Sequence, residues 1–360
     1  MSATTTTDKF TDSHIEYLNY AAKTKEKECN AKLVETETAS LAQTFVRAAG
    51  PNETFKIFEF GMGNAQALKG AIKAVHTTSP ETPITVTAKE FDPEYVVKGL
   101  QNLAFAFEHS PNFSIAITNA KGSDALSLRE EGGKKQIVHR VKLKGTKAEE
   151  HRTQFSELGP KINAAWETQK QQNGRYVPKH QGIIIVSHKD RDQSIEKAPN
   201  VNTLNPYHLA TIIHAWRLAA KPSLKAGIIS SVANSLSPIG KAFAIQARGN
   251  NSGEKIIQDL WPEKRPFEDF GSIINTVKNK LKGQSDQFAF TPKAPITFAT
   301  KDPVSPFEAL RLAVYAAQIP LETAKIAAED PAQLQKVKDI LSKDSGHLSF
   351  SNEVLEISPT

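Results

Sequence analysis

Glu59-Phe60-Gly61-Met62-Gly63 is the clearest chemical signal in the chain. It follows Phe55, Ile57, Phe58 and Phe60, a short run rich in aromatic and β-branched residues, and precedes Ala65 to Val75, whose composition suits a helix. A strand, a tight glycine turn and a helix in that order present unpaired helix N–H groups and a backbone free of Cβ atoms to a ligand. Glu59 adds a carboxylate just ahead of the glycines. A second acid, Asp92 or Glu90, ends the next β-rich run about 30 residues later, where a carboxylate can accept both hydroxyls of a ribose. Ser123-Asp124 follows a third such run and can hydrogen-bond an adenine amino group. Three ligand-facing strand ends in order point to a nucleoside cofactor.

Two kinds of cofactor use such a turn. A dinucleotide seats its pyrophosphate on the helix through a third glycine three positions after the second, and that position is Gln66. S-adenosylmethionine carries no phosphate but has a sulfonium and an amino group, both positive, which a carboxylate at Glu59 suits. The turn therefore favours S-adenosylmethionine over NAD or FAD. Ten histidines without His-x-x-x-His spacing, and a single cysteine, Cys29, predict neither a metal site nor an internal disulfide.

These residues need a scaffold that brings strand ends together. Runs at Thr54 to Phe60, Pro83 to Ala88 and Phe113 to Thr118 alternate with helical stretches at Ala65 to Val75 and Glu94 to Glu108, the latter opened by Pro93. This is the rhythm of an α/β, doubly wound, mostly parallel sheet. Gly182 to His188 reads as a doubly covered strand, Tyr207 to Ala220 as a helix and Ala226 to Val232 as a further buried strand. Helices are expected near Phe267 to Leu281, Pro306 to Gln318 and Ala332 to Ser342, with extended runs at Ile296 to Thr300 and His347 to Ile357. Ahead of the first strand, His14 to Arg47 suits two helices. Met1 to Lys9 is a threonine-rich tail without the features of a secretory signal and is expected to be disordered.

The 360 residues have 39% apolar and 23% charged content, ordinary globular values that exclude collagen-like and coiled-coil classes. Apolar runs are far shorter than the roughly 18 residues needed to span a bilayer, so no membrane helix is expected and a cytoplasmic location fits. The net charge of +6 is local: Gly132 to His180 holds eleven Lys/Arg against four Asp/Glu, leaving 34 of the 45 basic and 35 of the 39 acidic residues elsewhere. This basic insertion, about 130–180, is read as partly helical and partly loop. It suits a solvated elaboration or a substrate lid; contact with nucleic acid or an acidic protein is the rival reading.

Glu-x-Gly-x-Gly, an acid after the second strand and Gly-Ser-Asp-Ala after the third resemble class I S-adenosylmethionine-dependent methyltransferases. Within that class the chain is similar to the histamine N-methyltransferase family. The residues that carry this likeness are Phe10-Thr-Asp-Ser-His14 with Tyr17-Leu18, Lys25 to Cys29, Gly227 to Val232 with Asn234-Ser235, and Leu348 to Asn352. The resemblance covers about two thirds of the chain and places Gly61, Gly63, Asp92 and Ser123 at the cofactor, and Glu26 and Asn352 at an amine substrate. Ser187, next to His188, stands where the family has a fourth-strand glutamine, and either residue could orient or deprotonate the attacking nitrogen.

The expected organisation is a tail over 1–9, an N-terminal helical substrate cover over 10–50, a Rossmann-like core over 51–245 containing the insertion, and a substrate-covering region with the last strand over 246–360. The expected function is methyl transfer from S-adenosylmethionine to a small amine or other nitrogen nucleophile. A macromolecular methyltransferase that uses the basic insertion, and a non-catalytic module on the same fold, are the alternatives. The acceptor atom and the oligomeric state stay open.

Overall fold

The computed structural model describes residues 19–50, 53–90, 99, 102–103, 114–119, 124–131, 134–139, 183–188, 206–213, 222–248, 251–263, 270–281, 285–317 and 319–360. Asp92, Ser123, the 1–9 tail and most of the basic insertion lie outside them. The protein is an α/β, doubly wound fold. Among the described residues there are ten strands: β1 (Phe55–Phe60), β2 (Ile84–Glu90), β3 (Ser114–Asn119), β4 (Asp124–Glu131), β5 (Lys134–His139), β6 (Ile183–His188), β7 (Tyr207–Ile213), β8 (Leu236–Arg248), β9 (Phe288–Ala299) and β10 (Ser349–Pro359). They form one sheet in the order β5-β4-β3-β6-β2-β1-β7-β8-β10-β9. From β1 the chain winds to one side through β2 and to the other through β7, and the pairings β3·β6, β6·β2, β2·β1 and β1·β7 are all parallel.

The helices are α1 (Glu26–Ala49), α2 (Gln66–Thr78), α3 (Pro222–Ala233), α4 (Ser252–Leu260), α5 (Phe270–Lys280), α6 (Pro306–Ala316), α7 (Leu321–Glu329) and α8 (Pro331–Lys343). The chain divides into two compact units. One comprises 31–244, 274–291 and 356–360 and holds the parallel strands; the other comprises 1–30, 245–273 and 292–355. In the first, Phe45 of α1 meets Phe55 of β1 edge to face at 5.2 Å, and Lys73 of α2 pairs with Glu35 of α1 at 3.1 Å. In the second, α4, α6, α7 and α8 bury Ile256, Ile257, Leu310, Leu312, Val337 and Ile340 in one apolar cluster. Asn251 caps α4 and Ser305 caps α6, each accepting an N–H three residues on.

Several expectations are corrected. Tyr207 to Ile213 is strand β7 rather than the start of a helix. Both faces of β7 are buried apart from its ends, and such a run has no period to separate strand from helix; its β-branched Thr211, Ile212 and Ile213 were the available sign. Ala226 to Val232 lies in helix α3, not in a strand. The stretch is apolar with two serines, and Ser230 turns its hydroxyl back to Ala226 O at 2.8 Å, so its polarity is spent inside the helix. The basic insertion opens as an antiparallel hairpin, β4·β5, in which Glu130 faces Lys135 and Glu131 faces Lys134. Few apolar residues announce that pairing in the sequence of these two strands. Strand β6 lies between β2 and β3, and β7 takes the place beside β1.

His208 of β7 fixes the register of the central strands. Its ring sits 4.5 Å from Phe45 and 5.3 Å from Phe55, and its Nδ1 accepts the Lys56 N–H at 2.9 Å across 152 residues. Burial, assisted by the Lys56 charge, pushes its pKa down to about 4. As pH falls, the unfolded imidazole takes up its proton near its ordinary value of 6.5, well before the folded one does. The stability this neutral ring contributes is therefore complete above pH 6.5 and drains away as pH falls towards about 4. Denaturant unfolding at pH 7 and pH 4.5 should show a larger loss for the wild type than for His208→Asn, which keeps an acceptor but does not titrate; equal losses would contradict this account.

Candidate functional site

A parallel sheet exposes the carboxyl ends of its strands along one edge, and ligands of such sheets sit where the winding reverses. Here the reversal is at β1, between β2 and β7. Glu59, only 2% exposed, lies beside Ala88 of β2 and Thr211 of β7 in the strand register. Immediately after it Gly61 has φ 79° and Gly63 φ 53°, left-handed values that glycine adopts without strain. Ala65, with φ 58°, then leads into α2 as an N-cap without a side-chain oxygen, and no acid stands in the first turn. Ala65 therefore gives the first N–H groups of α2 no side-chain cap. Gln66, where a dinucleotide turn has its third glycine, is the first residue of α2.

The turn is held from its own side. Ala65 N–H donates to Met62 O at 2.9 Å, and Asn102 Nδ2 donates to Asn64 O at 2.9 Å. Gly99 passes so close that a Cβ there would stand 2.6 Å from Met62 Cε and 2.9 Å from Gly63 O. Beyond β1 the register lines up Glu90 of β2, His188 of β6 and Asn119 of β3 at the same carboxyl edge. Asp124 opens β4 opposite Thr118, at the end of β3. Because β6 intervenes, the end of β3 is three strand spacings, about 14 Å, from β1. Thr211 and Asn102 were missed from sequence, Thr211 because its strand read as a helix.

The two residues assigned to an amine lie together in the other unit. Asn352 of β10, with no exposed surface, donates from Nδ2 to Glu26 Oε1 at 3.3 Å and to Asn30 Oδ1 at 3.1 Å. Glu26 and Asn30 are 1% and 2% exposed and stand one turn apart on α1, so they share a face. Tyr20 Oη approaches Glu26 Oε1 at 3.5 Å. Glu26 occupies the first turn of α1, where the helix dipole favours an anion. Its place is set by backbone ties on both sides of a bridge between Thr24 and Thr300. Lys25 N–H donates to Ala299 O at 3.1 Å, and Lys301 N–H to Lys23 O at 2.8 Å. Thr300 N–H and Oγ1 also engage Leu348, just ahead of β10, at 2.9 and 3.1 Å. A small, mainly apolar cleft beside Tyr20 is walled by Ala247, Ile257, Ala316 and Phe350. Tyr20 and Asn30 carry no motif of their own; the i+4 spacing of Asn30 from Glu26 was the one available signal.

No family model and no curated protein matches the chain. Solved structures that resemble it include the plantazolicin methyltransferase BpumL in complex with SAH, at 10% identity and TM-score 0.39, covering 97% of this chain and 91% of that one. A cyclopropane-fatty-acyl-phospholipid synthase-like protein from Lactobacillus casei aligns at 11% identity and TM-score 0.36, over 91% and 93% of the two chains. Magnesium protoporphyrin IX methyltransferase from Synechocystis aligns at 8% identity and TM-score 0.35, over 92% and 86%. At such values the likeness is one of general chain course, and what the protein does has to be read from its own residues. Among the described residues no helix is long and apolar enough to cross a membrane, and no group of His, Cys, Asp or Glu is placed to hold a metal.

The positive φ at Gly61 leads to a direct stability test. A β-branched side chain in left-handed backbone costs about 1–2 kcal/mol. Gly61→Val should lower the free energy of unfolding by about that amount in a denaturant titration. An unchanged midpoint would mean that the turn does not hold this conformation.

Proposed function

We propose that the protein is an S-adenosylmethionine-dependent methyltransferase acting on a small amine or other nitrogen nucleophile. The observation that carries the cofactor reading is the buried Glu59 carboxylate directly ahead of two left-handed glycines, at the point where the sheet reverses its winding. S-adenosylmethionine, when bound, supplies a methyl group made electrophilic by its sulfonium. Glu59 would attract the positive groups of the cofactor, and Gly61 and Gly63 let the backbone approach it. Glu90, or Asp92 beyond it, would take the ribose hydroxyls, and Ser123-Asp124 the adenine. Solved structures named above as methyltransferases agree with this reading but do not carry it.

The amine reading is supported by the meeting of Glu26 and Asn352, 326 residues apart in sequence, in one buried polar cluster. Glu26 would hold a substrate cation by charge, and Asn352 would orient it by hydrogen bonding. Ser187 or His188, at the carboxyl end of β6, would orient or deprotonate the attacking nitrogen. In the transfer the methyl carbon exchanges its bond to sulfur for one to nitrogen, and the proton displaced from that nitrogen leaves to a base or to water. Alignment of the two reactants and exclusion of water account for most of the acceleration such a displacement needs.

Titration calorimetry with S-adenosylmethionine, S-adenosylhomocysteine and NAD should give heats for the adenosyl pair and none for NAD. Glu59→Gln should weaken the adenosyl pair at least about tenfold, the equivalent of one lost charge-assisted contact. Absence of adenosyl binding by the wild type would overturn the cofactor assignment. With an accepted amine, Glu26→Gln should raise KM while leaving the cofactor Kd unchanged, and unaltered kinetics would remove Glu26 from the substrate site.

A further inference from the structure

Resting on the S-adenosylmethionine reading of the Glu59 turn, we propose that Asn102 is a positioning residue for the cofactor, holding the peptide between Asn64 and Ala65 so that the turn is already set when the cofactor arrives. Gly61 and Gly63 take left-handed backbone without strain, but Ala65, two residues further on, does not. Its φ is 58°, and with Ser345 it is one of two residues other than glycine with positive φ among the described residues. A Cβ in left-handed backbone crowds the following carbonyl oxygen, so an alanine stays there only where its surroundings hold it.

The holding groups come from one helical face. Gly99 and Asn102 are both helical and three residues apart, which brings them to the same side. A Cβ at Gly99 would stand 2.9 Å from Gly63 O and 3.4 Å from Ala65 Cβ, so the helix backbone lies directly against the turn. Asn102 Nδ2 donates to Asn64 O at 2.9 Å across 38 residues. That oxygen belongs to the rigid peptide plane between Asn64 and Ala65, whose orientation follows from ψ of Asn64 and φ of Ala65 together. Relaxation of Ala65 to a right-handed φ swings this plane and carries Asn64 O away from Asn102. Ala65 O accepts the Lys69 N–H at 2.9 Å in the first turn of α2, so the same residue sets where α2 begins. A ligand that lies along a turn already in this form meets no ordering cost, and its affinity is not reduced by a fraction of chains in another form. Asn102 acts on the cofactor only through this backbone.

Calorimetry of the full chain with S-adenosylhomocysteine, at a temperature where every variant is folded, tests this. Asn102→Ala should raise Kd about tenfold, the order of the left-handed penalty that the hydrogen bond overrides. The double variant Asn102→Ala with Ala65→Gly should return to within about threefold of the wild type, because glycine takes left-handed φ without being held. In the unliganded chain, hydrogen exchange at the Ala65 N–H, bonded to Met62 O at 2.9 Å, should quicken at least about tenfold in Asn102→Ala, and more than exchange in α1 does. If Asn102→Ala does not fold, Asn102→Asp, which keeps the shape and loses the donor, takes its place. A Kd unchanged in the single variant, or raised without recovery in the double one, would overturn the inference and leave the cofactor reading standing. Exchange unaltered at Ala65 would likewise overturn it. Failure of the wild type to bind would overturn the cofactor reading and with it the role of Asn102.

Discussion

Because β1 is hydrogen-bonded in parallel to β2 on one side and to β7 on the other, everything at its carboxyl end stands at a reversal of the winding. Parallel neighbours cannot be joined by a tight turn, so the chain has to leave the sheet and return. The return to β7 is long in sequence, and its register is therefore not imposed by a short connection. The apolar packing of Phe45, Phe55 and the neutral His208 ring supplies the specificity, with Lys56 N–H reading the position of β7 directly. Since a slip of one residue would turn every side chain to the opposite face, that contact also decides that Thr211 stands beside Glu59.

The turn after Glu59 depends on this register and on little else. Its left-handed glycines, the close approach of Gly99 and the Asn102 hydrogen bond shape a backbone surface rather than a set of reactive side chains. Such a surface suits a large, polar cofactor bound along its length, with charge supplied at one point by Glu59. The interposition of β6 between β2 and β3 widens the same edge and brings Glu90, His188 and Asn119 into one register row.

How much of this could be read from the sequence depended on how abruptly the pattern changes along the chain. The step from an aromatic, β-branched run to Gly-x-Gly and then to an amphipathic helix is sharp, and β1, the turn and α2 were legible. So were α6 and α8, which begin at proline behind Ser305 and Asp330 caps. The region 207–233 was not, because β7 and α3 are both nearly uniformly apolar: without a polar face neither the period of 2 nor that of 3.6 is displayed. The β4·β5 hairpin was hidden for the opposite reason, its strands being too charged to look like sheet. Position in the sheet was beyond sequence altogether, since nothing in Ile183 to His188 says which strands it will pair with. Glu26 and Asn352 were singled out by resemblance alone; no spacing argument links positions 326 residues apart.

Burying a carboxylate, two amides and a phenol hydroxyl among apolar neighbours is a poor way simply to tie α1 to β10. Desolvation of the charge offsets much of its attraction to its partners, and apolar side chains of similar volume often hold such a junction as well or better. A polar cluster kept for structure alone would also be expected to close on itself, every donor matched to an acceptor, because a half-satisfied network is less stable than an apolar one. The cluster around Glu26 places both N–H groups of Asn352 but leaves its oxygen over.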